Sequence, residues 1–180
     1  MDYEVLALEN FLGPGVKVIR DYDSNIIVNG DIFISVNDNT FNQMPVKIYI
    51  LNGNLNWHGE GSNLNNLVSL KNFPTIVNGD VNIYGNKKLT SLEFCPRVIK
   101  GNLVCDRCML TSFKGISESI GKNLIASFNP IKDITDLDKV EIGGIISLVN
   151  IDPKIINEAK KTVDSSIIVE QMSLYESYKV

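Results

Sequence analysis

The sequence predicts a repeat solenoid: short parallel strands on a concave face, joined by irregular or short helical returns and closed by a cap at each end. Three observations predict it. A phrase of Gly, Asp or Asn, an apolar residue, a spacer and a second small or apolar residue recurs along the chain. It reads Gly30-Asp31-Ile32-Phe33-Ile34, Gly53-Asn54-Leu55-Asn56-Trp57, Gly79-Asp80-Val81-Asn82-Ile83 and Gly101-Asn102-Leu103-Val104-Cys105. It loosens to Asn123-Leu124-Ile125-Ala126 and fades at Gly144-Ile145-Ile146-Ser147. The copies stand about 21 to 26 residues apart, a period that belongs to stacked repeats. Finally, each copy is followed by a turn and two further apolar clusters, so one coil offers three short faces to a shared narrow core.

The elements follow in order. Residues 1–28 read as a mixed N-terminal cap. Val5, Leu6, Leu8, Phe11 and Leu12 form the apolar side of a short helix, Gly13-Pro14-Gly15 stops it, and Val16-Lys17-Val18-Ile19 alternates as a strand does. A solenoid leaves apolar surface open at both ends, so atypical terminal units are required. Residues 29–150 form the solenoid, about five to six units. Within each unit the two apolar positions are one residue apart and face the same side of a strand. The inward pairs are Leu55 with Trp57, Val81 with Ile83, Leu103 with Cys105 and Leu124 with Ala126.

The second cluster reads Leu89-Thr90-Ser91-Leu92, Leu110-Thr111-Ser112-Phe113 and Ile134-Thr135-Asp136-Leu137, preceded by Leu67-Val68-Ser69-Leu70. The return segments are Pro74-Thr75-Ile76-Val77, Pro96-Arg97-Val98-Ile99 and Ser119-Ile120. Gly before each strand suits a left-handed or tightly approaching backbone, where a Cβ is costly. Residues 151–180 read as a helical C-terminal cap. Asp152-Pro153 is a helix start, an acceptor at the N-cap followed by a preset φ. Ile155, Ile156, Ala159 and Val163 follow at helical spacing. A second helix is expected from Ser165 or Ser166, with Ile168, Met172 and Tyr175 as its stripe.

The run Gly79-Asp80-Val81-Asn82-Ile83-Tyr84-Gly85-Asn86-Lys87-Lys88-Leu89-Thr90-Ser91-Leu92-Glu93-Phe94-Cys95-Pro96 resembles a short leucine-rich repeat found in bacterial and bacteriophage proteins. Gly101 to Ile120 is a second clear copy; 29–76 and 121–150 are weaker ones. The resemblance implies a curved, leucine-rich-repeat-like solenoid with a binding role and no catalytic residues. The small size and the Asn, Ile, Lys and Tyr content also resemble accessory proteins of large phages.

The bulk numbers bound the function classes. Of 180 residues, 44% are hydrophobic and 21% charged, ordinary for a chain that folds around a core. A net charge of -4 gives no general attraction to phosphate backbones. No apolar run approaches the roughly 18 residues of a membrane span. The acidic start, Met1-Asp2-Tyr3-Glu4, lacks the basic region of a secretory signal. Three cysteines, an odd number, suggest free thiols in a reducing cytoplasm. The expected location is therefore cytoplasmic, in a host cell if the chain is phage-encoded.

Candidate sites sit in columns across the coils. Asp31, Asn54, Asp80, Asn102 and Asn123 read as a ladder in which each side chain bonds the next turn. The outward column is Phe33, Asn56, Asn82, Val104, Ile125 and Ile146, apolar in its C-terminal half, where a solvated face would be polar. It reads as a protein-binding patch, unless the C-terminal helices fold back over it or the strand slips by one residue. A third column holds His58, Tyr84, Asp106 and Ser127. Because aromatic residues dominate binding hot spots, the partner-binding set is Phe33, His58, Tyr84, Val104, Asp106, Ile125 and Ile146.

Cys105-Asp106-Arg107-Cys108, with Cys95 nearby, supplies one ligand pair where a structural zinc wants four ligands. Cys105 also occupies an inward position, so buried thiols are expected and no metal. His58, the sole histidine, stands some two coils from the cysteines, too far to activate a thiol. No phosphate loop, Gly-x-Ser-x-Gly elbow or His-Glu-x-x-His is present, so no catalytic residue and no cofactor are expected.

The expectation is a non-enzymatic module that binds another protein, a host enzyme or defence factor if the phage resemblance holds, and inhibits or redirects it. The alternatives are a self-assembling structural or virion component and an acidic mimic of nucleic acid.

Overall fold

The structure is a computed structural model, and it describes residues 2–34, 42–59, 67–164 and 167–170. The chain opens with helix α1 (Tyr3–Leu12), followed by strands β1 (Lys17–Arg20), β2 (Ile26–Asn29) and β3 (Ile32–Phe33). Pairs of very short strands come next: β4 (Ile50–Asn52) with β5 (Leu55–Asn56), β6 (Ile76–Val77) with β7 (Val81–Asn82), and β8 (Val98–Ile99) with β9 (Leu103–Val104). The pairing continues through β10 (Ser119–Ile120) with β11 (Leu124–Ile125), and β12 (Glu141–Ile142) with β13 (Ile146–Ser147). Helix α2 (Pro153–Thr162) and strand β14 (Ile168–Val169) end the described chain.

These strands build two seven-stranded sheets. Sheet A runs β1-β2-β4-β6-β8-β10-β12 and sheet B runs β14-β13-β11-β9-β7-β5-β3. Every neighbour pair is parallel except β1 with β2. One strand of each sheet per coil makes a β-solenoid of about six turns. The returns, expected to be irregular, thus form a second parallel sheet. The physical reason is register: β-branched Ile76-Val77 and Val98-Ile99 stack directly, so their backbone groups find partners one coil away.

The corner between the two sheets is set by the Gly-Asx phrase. A Cβ on Gly79 would stand 2.5 Å from both the Gly53 carbonyl oxygen and the Asn54 Oδ1. Close approach of successive coils, rather than a left-handed conformation, is what demands glycine there. The Asx residue then bonds across coils, as the sequence implies. Oδ1 of Asp31, Asn54, Asp80, Asn102 and Asn123 accepts the backbone N–H of Asn54, Asp80, Asn102, Asn123 and Ile145 respectively, at 2.7–3.1 Å.

A narrow core fills the tube. Ile32, Leu55, Val81, Leu103, Leu124 and Ile146 form the first inward column of sheet B, all without solvent exposure. Trp57 stacks on Phe73 at 6.0 Å and meets Phe11 of α1 at 6.5 Å, which ties that helix to the coil holding β5. Leu8 and Leu12 of α1 are buried, whereas Leu6, placed by the spacing on the same apolar side, is 40% exposed.

The third face closes the coil but is offset from its expected alignment in one unit. Ser112 bridges Asp133, which matches Phe113 with Ile134, so Leu110 corresponds to Ile131 rather than Ile134. Leu137 instead begins a short 3-10 turn, Leu137–Lys139.

Beyond residue 150, Asp152 Oδ1 accepts the Lys154 N–H at 2.8 Å and Pro153 opens α2, as the sequence predicts. Ile168 differs from expectation: it lies in β14, paired with Ile146, and not on a helix. Ser165, Ser166, Met172 and Tyr175 lie outside the described residues. No helix among the described residues is long and apolar enough to cross a membrane.

Candidate functional site: the outward face of sheet B

Sheet B presents two outward columns. The strand pairing puts Phe33, Asn56, Asn82, Val104, Ile125, Ser147 and Val169 in the first. His58, Tyr84, Asp106, Ser127 and Val149 stand two residues further along each coil and form the second. Ile146, expected outward, points inward, fully buried beside Leu124. Ile145 has taken the Asx position of that coil, where its N–H bonds Asn123, so the outward place falls to Ser147.

Exposure along this face is graded. Phe33 is 64% exposed and His58 is exposed, while Asn56, Asn82, Tyr84 and Val104 are half-buried. Past Val104 the face closes. Asp106 and Ser127 have no exposure, Ile125 keeps 3%, Ser147 none, Val149 3% and Val169 6%. Ile125 and Val149 form a small apolar cluster of their own, with Val104 and Phe128 packed against it. Ser127 Oγ lies 2.8 Å from Ser147 Oγ and accepts the Val149 N–H at 2.9 Å. The proposed partner set therefore divides: Phe33, His58, Tyr84 and Val104 reach solvent, whereas Asp106, Ile125 and Ile146 do not.

Beside the face runs a corner column in which Gly85, Arg107, Phe128 and Asn150 all adopt positive φ, between 52° and 76°. An aromatic residue in that conformation carries a steric penalty of about 1–2 kcal/mol. The Arg107 guanidinium sits 4.3 Å above the Phe128 ring centroid, a stack across adjacent coils. Tyr84, Lys87, Arg107, Met109 and Phe128 line a depression of about 570 Å³ at this corner. Met109, 45% exposed, adds an adaptable apolar wall.

Comparison with protein families, with curated proteins and with solved structures finds no match for this chain.

The cysteines have structural work. Cys105 is fully buried in the second inward column, and Cys108 donates its S–H to the Ile83 carbonyl at 3.3 Å. Burial pushes the Cys108 thiol up to about 12 and the Cys105 thiol well above its ordinary range. Cys95 is half-buried against Ser117, its thiol also raised by burial, to about 11. Neutral thiols are poor nucleophiles and poor metal ligands. Among the described residues no three His, Cys, Asp or Glu side chains gather as a metal site.

Cys108 belongs to a column that the sequence reading passed over. Asn86, Cys108 and Asn129 occupy the same place three residues after the second inward position. The Asn86 amide donates to the carbonyls of Trp57 and Ile83, at 2.6 and 2.9 Å, and the Asn129 amide donates to those of Cys105 and Ala126, both at 2.9 Å. The signal that exposes it is the spacing apolar-x-apolar-x-x-Asn/Cys, repeated in three coils.

Proposed function

We propose that the chain is a non-enzymatic module of the short leucine-rich-repeat kind, which binds another protein through the N-terminal half of the sheet B face. The observation that carries this reading is the contrast between columns. Inward positions stay apolar or small from coil to coil, while the neighbouring outward positions Phe33, Asn56, His58, Asn82 and Tyr84 mix aromatic with polar side chains and reach solvent. A rigid backbone carrying varied side chains, with aromatic residues at two of five places, suits recognition of a folded surface.

The leucine-rich assignment is supported by the apolar-x-apolar-x-x-Asn/Cys pattern at Val81–Asn86, Leu103–Cys108 and Leu124–Asn129. On this reading α1 with the β1–β2 hairpin caps one end of the stack and α2 the other. Occupying a partner's surface blocks it sterically, which requires no chemistry from this chain.

Affinity capture from a cell lysate, with Phe33→Asp/Tyr84→Ala as control bait, tests the reading. The native protein should retain a stoichiometric partner that the variant loses. Recovery of no stoichiometric protein, or equal recovery by both baits, contradicts it.

Self-association is a second reading, favoured by one observation. β1 ends sheet A, with Ile19 39% exposed and Tyr22 fully exposed beside it; α1 covers part of that edge, the Glu9 carboxylate accepting the Val18 N–H at 3.3 Å, and the remainder is a template for pairing. Light scattering at micromolar concentration separates the two readings, because a monomer rules out edge pairing of useful strength.

A further inference from the structure

The chain has three arginines, Arg20, Arg97 and Arg107. Arg20 pairs with the carboxylates of Asp2 and Glu4, and Arg97 pairs with that of Glu118. Arg107 differs. Among the described residues it has no carboxylate partner, and its guanidinium lies against the Phe128 ring instead. Lys87, on the same corner, also forms no ion pair among the described residues. An unpaired surface lysine is ordinary. An arginine stacked on a ring at the wall of a cavity, in a chain with more acidic than basic side chains, is not.

We propose that the corner depression is a binding site for an oxyanion, a carboxylate or a phosphate group, carried on a small apolar body. Its volume of about 570 Å³ falls in the range of small-molecule sites. The lining holds two cations, Lys87 and Arg107, and no acid. Asp106 precedes Arg107 in the chain, but it is fully buried and does not line the depression. The Phe128 ring engages one side of the guanidinium and holds it in place. A guanidinium so held offers its N–H fork to two oxygens at once, which a carboxylate or a phosphate supplies. Lys87 adds a second positive charge. Met109, 45% exposed, and the half-buried Phe128 give the apolar body a wall to rest on.

The backbone points the same way. Gly85, Arg107, Phe128 and Asn150 hold the same corner in four successive coils, all at positive φ. Glycine and asparagine suit that conformation; Arg107 at φ 52° and Phe128 at φ 56° do not. Two bulky side chains are thus kept where the fold itself asks for small ones, and both line the depression. Strained residues of this kind gather at ligand clamps. The site needs no outside protein, so its failure and that of the protein-binding reading are told apart.

The test titrates the isotope-labelled full-length protein, in a buffer without phosphate, with phenyl phosphate, phenylacetate and inorganic phosphate, followed by NMR. Saturable shifts centred on Arg107 and Phe128 are expected with phenyl phosphate, phenylacetate or both, and the two arms separate phosphate from carboxylate recognition. Inorganic phosphate should bind more weakly than the better of them. Arg107→Gly removes the guanidinium and supplies the residue that Gly85 already provides one coil earlier, so the fold should persist. Its affinity should fall about tenfold or more. Lys87→Gln, a change at an exposed side chain, should weaken binding severalfold. No saturable shift at millimolar probe, shifts centred elsewhere, or inorganic phosphate binding as tightly as either probe would overturn the proposal. So would unchanged affinity in either variant.

Discussion

The Oδ1 of Asp80 accepts the backbone N–H of Asn102 at 2.7 Å, across 22 residues of sequence and one turn of the solenoid. The same oxygen lies 3.1 Å from the Asn102 amide nitrogen, which donates to it. This contact shows how the chain holds its coils in register at the corner between the sheets, where the Asn102 N–H takes a side-chain acceptor between the backbone bonds from Gly101 to Gly79 and from Val81 to Asn102. Asp80→Ala leaves a partly buried N–H without its acceptor, and the expected loss is about 1–3 kcal/mol. Asp80→Asn keeps the acceptor and should cost much less. Urea unfolding of the two variants checks the difference; equal destabilisation would show that the charge matters and not the oxygen.

How far the fold was legible follows from such contacts. The Gly-Asx phrase announced the period because neighbouring coils approach too closely there for any side chain, as at Gly79. The last coil keeps the glycine, where a Cβ on Gly144 would stand 2.2 Å from the Asn123 Oδ1, but lacks the Asx residue after it. With Ile145 in the Asx position and apolar residues on both sides of the strand, the pattern alone leaves the register open by one residue, and such a slip turns every side chain to the opposite face. That is why Ile146 was expected outward. The second sheet was hidden because two-residue strands are too short to show alternation. Burial of Ile125 does not follow from a two-residue strand's own pattern, which left a covered face standing only as an alternative to a binding patch.

Phe94 adopts φ 69° with a 61% exposed side chain, whereas Gly115 holds the equivalent corner of the next coil at φ 80°. An aromatic residue gains little packing there yet carries the left-handed penalty. Phe94→Gly is expected to raise stability by about 1 kcal/mol, read as a higher urea midpoint. A lower midpoint would mean that the exposed ring makes contacts worth more than the strain.

The three thiols should resist modification. Burial raises the Cys95 and Cys108 groups to about 11 and about 12 and holds Cys105 well above its ordinary range, so at pH 8 each remains neutral. A chromogenic disulfide reagent should react slowly with the native protein and with all three cysteines once guanidinium unfolds it. Rapid native reaction of Cys105 or Cys108 contradicts their placement in the core.

Asp2 caps α1, accepting the N–H groups of Glu4 and Val5, and pairs with Arg20. The Arg20 guanidinium, with help from the Val5 N–H, lowers its carboxyl from 3.8 to about 2. A depressed carboxylate contributes stability above its unfolded value and loses it as pH falls through the folded one. The contribution should therefore be intact above pH 4 and fade between about 4 and 2. Carbon-detected NMR titration checks this; a midpoint near 3.8 would show that the pair with Arg20 does not form.

The central claim is that repetition builds the scaffold and the variable outward residues of sheet B do the recognising. Its most direct test measures partner affinity for two surface variants, one on each sheet. Phe33→Asp/Tyr84→Ala alters the sheet B face, whereas Arg97→Glu/Glu118→Arg reverses an exposed ion pair on the sheet A side. Binding is predicted to fail with the first and persist with the second. Loss with the second, or retention with both, would contradict the account.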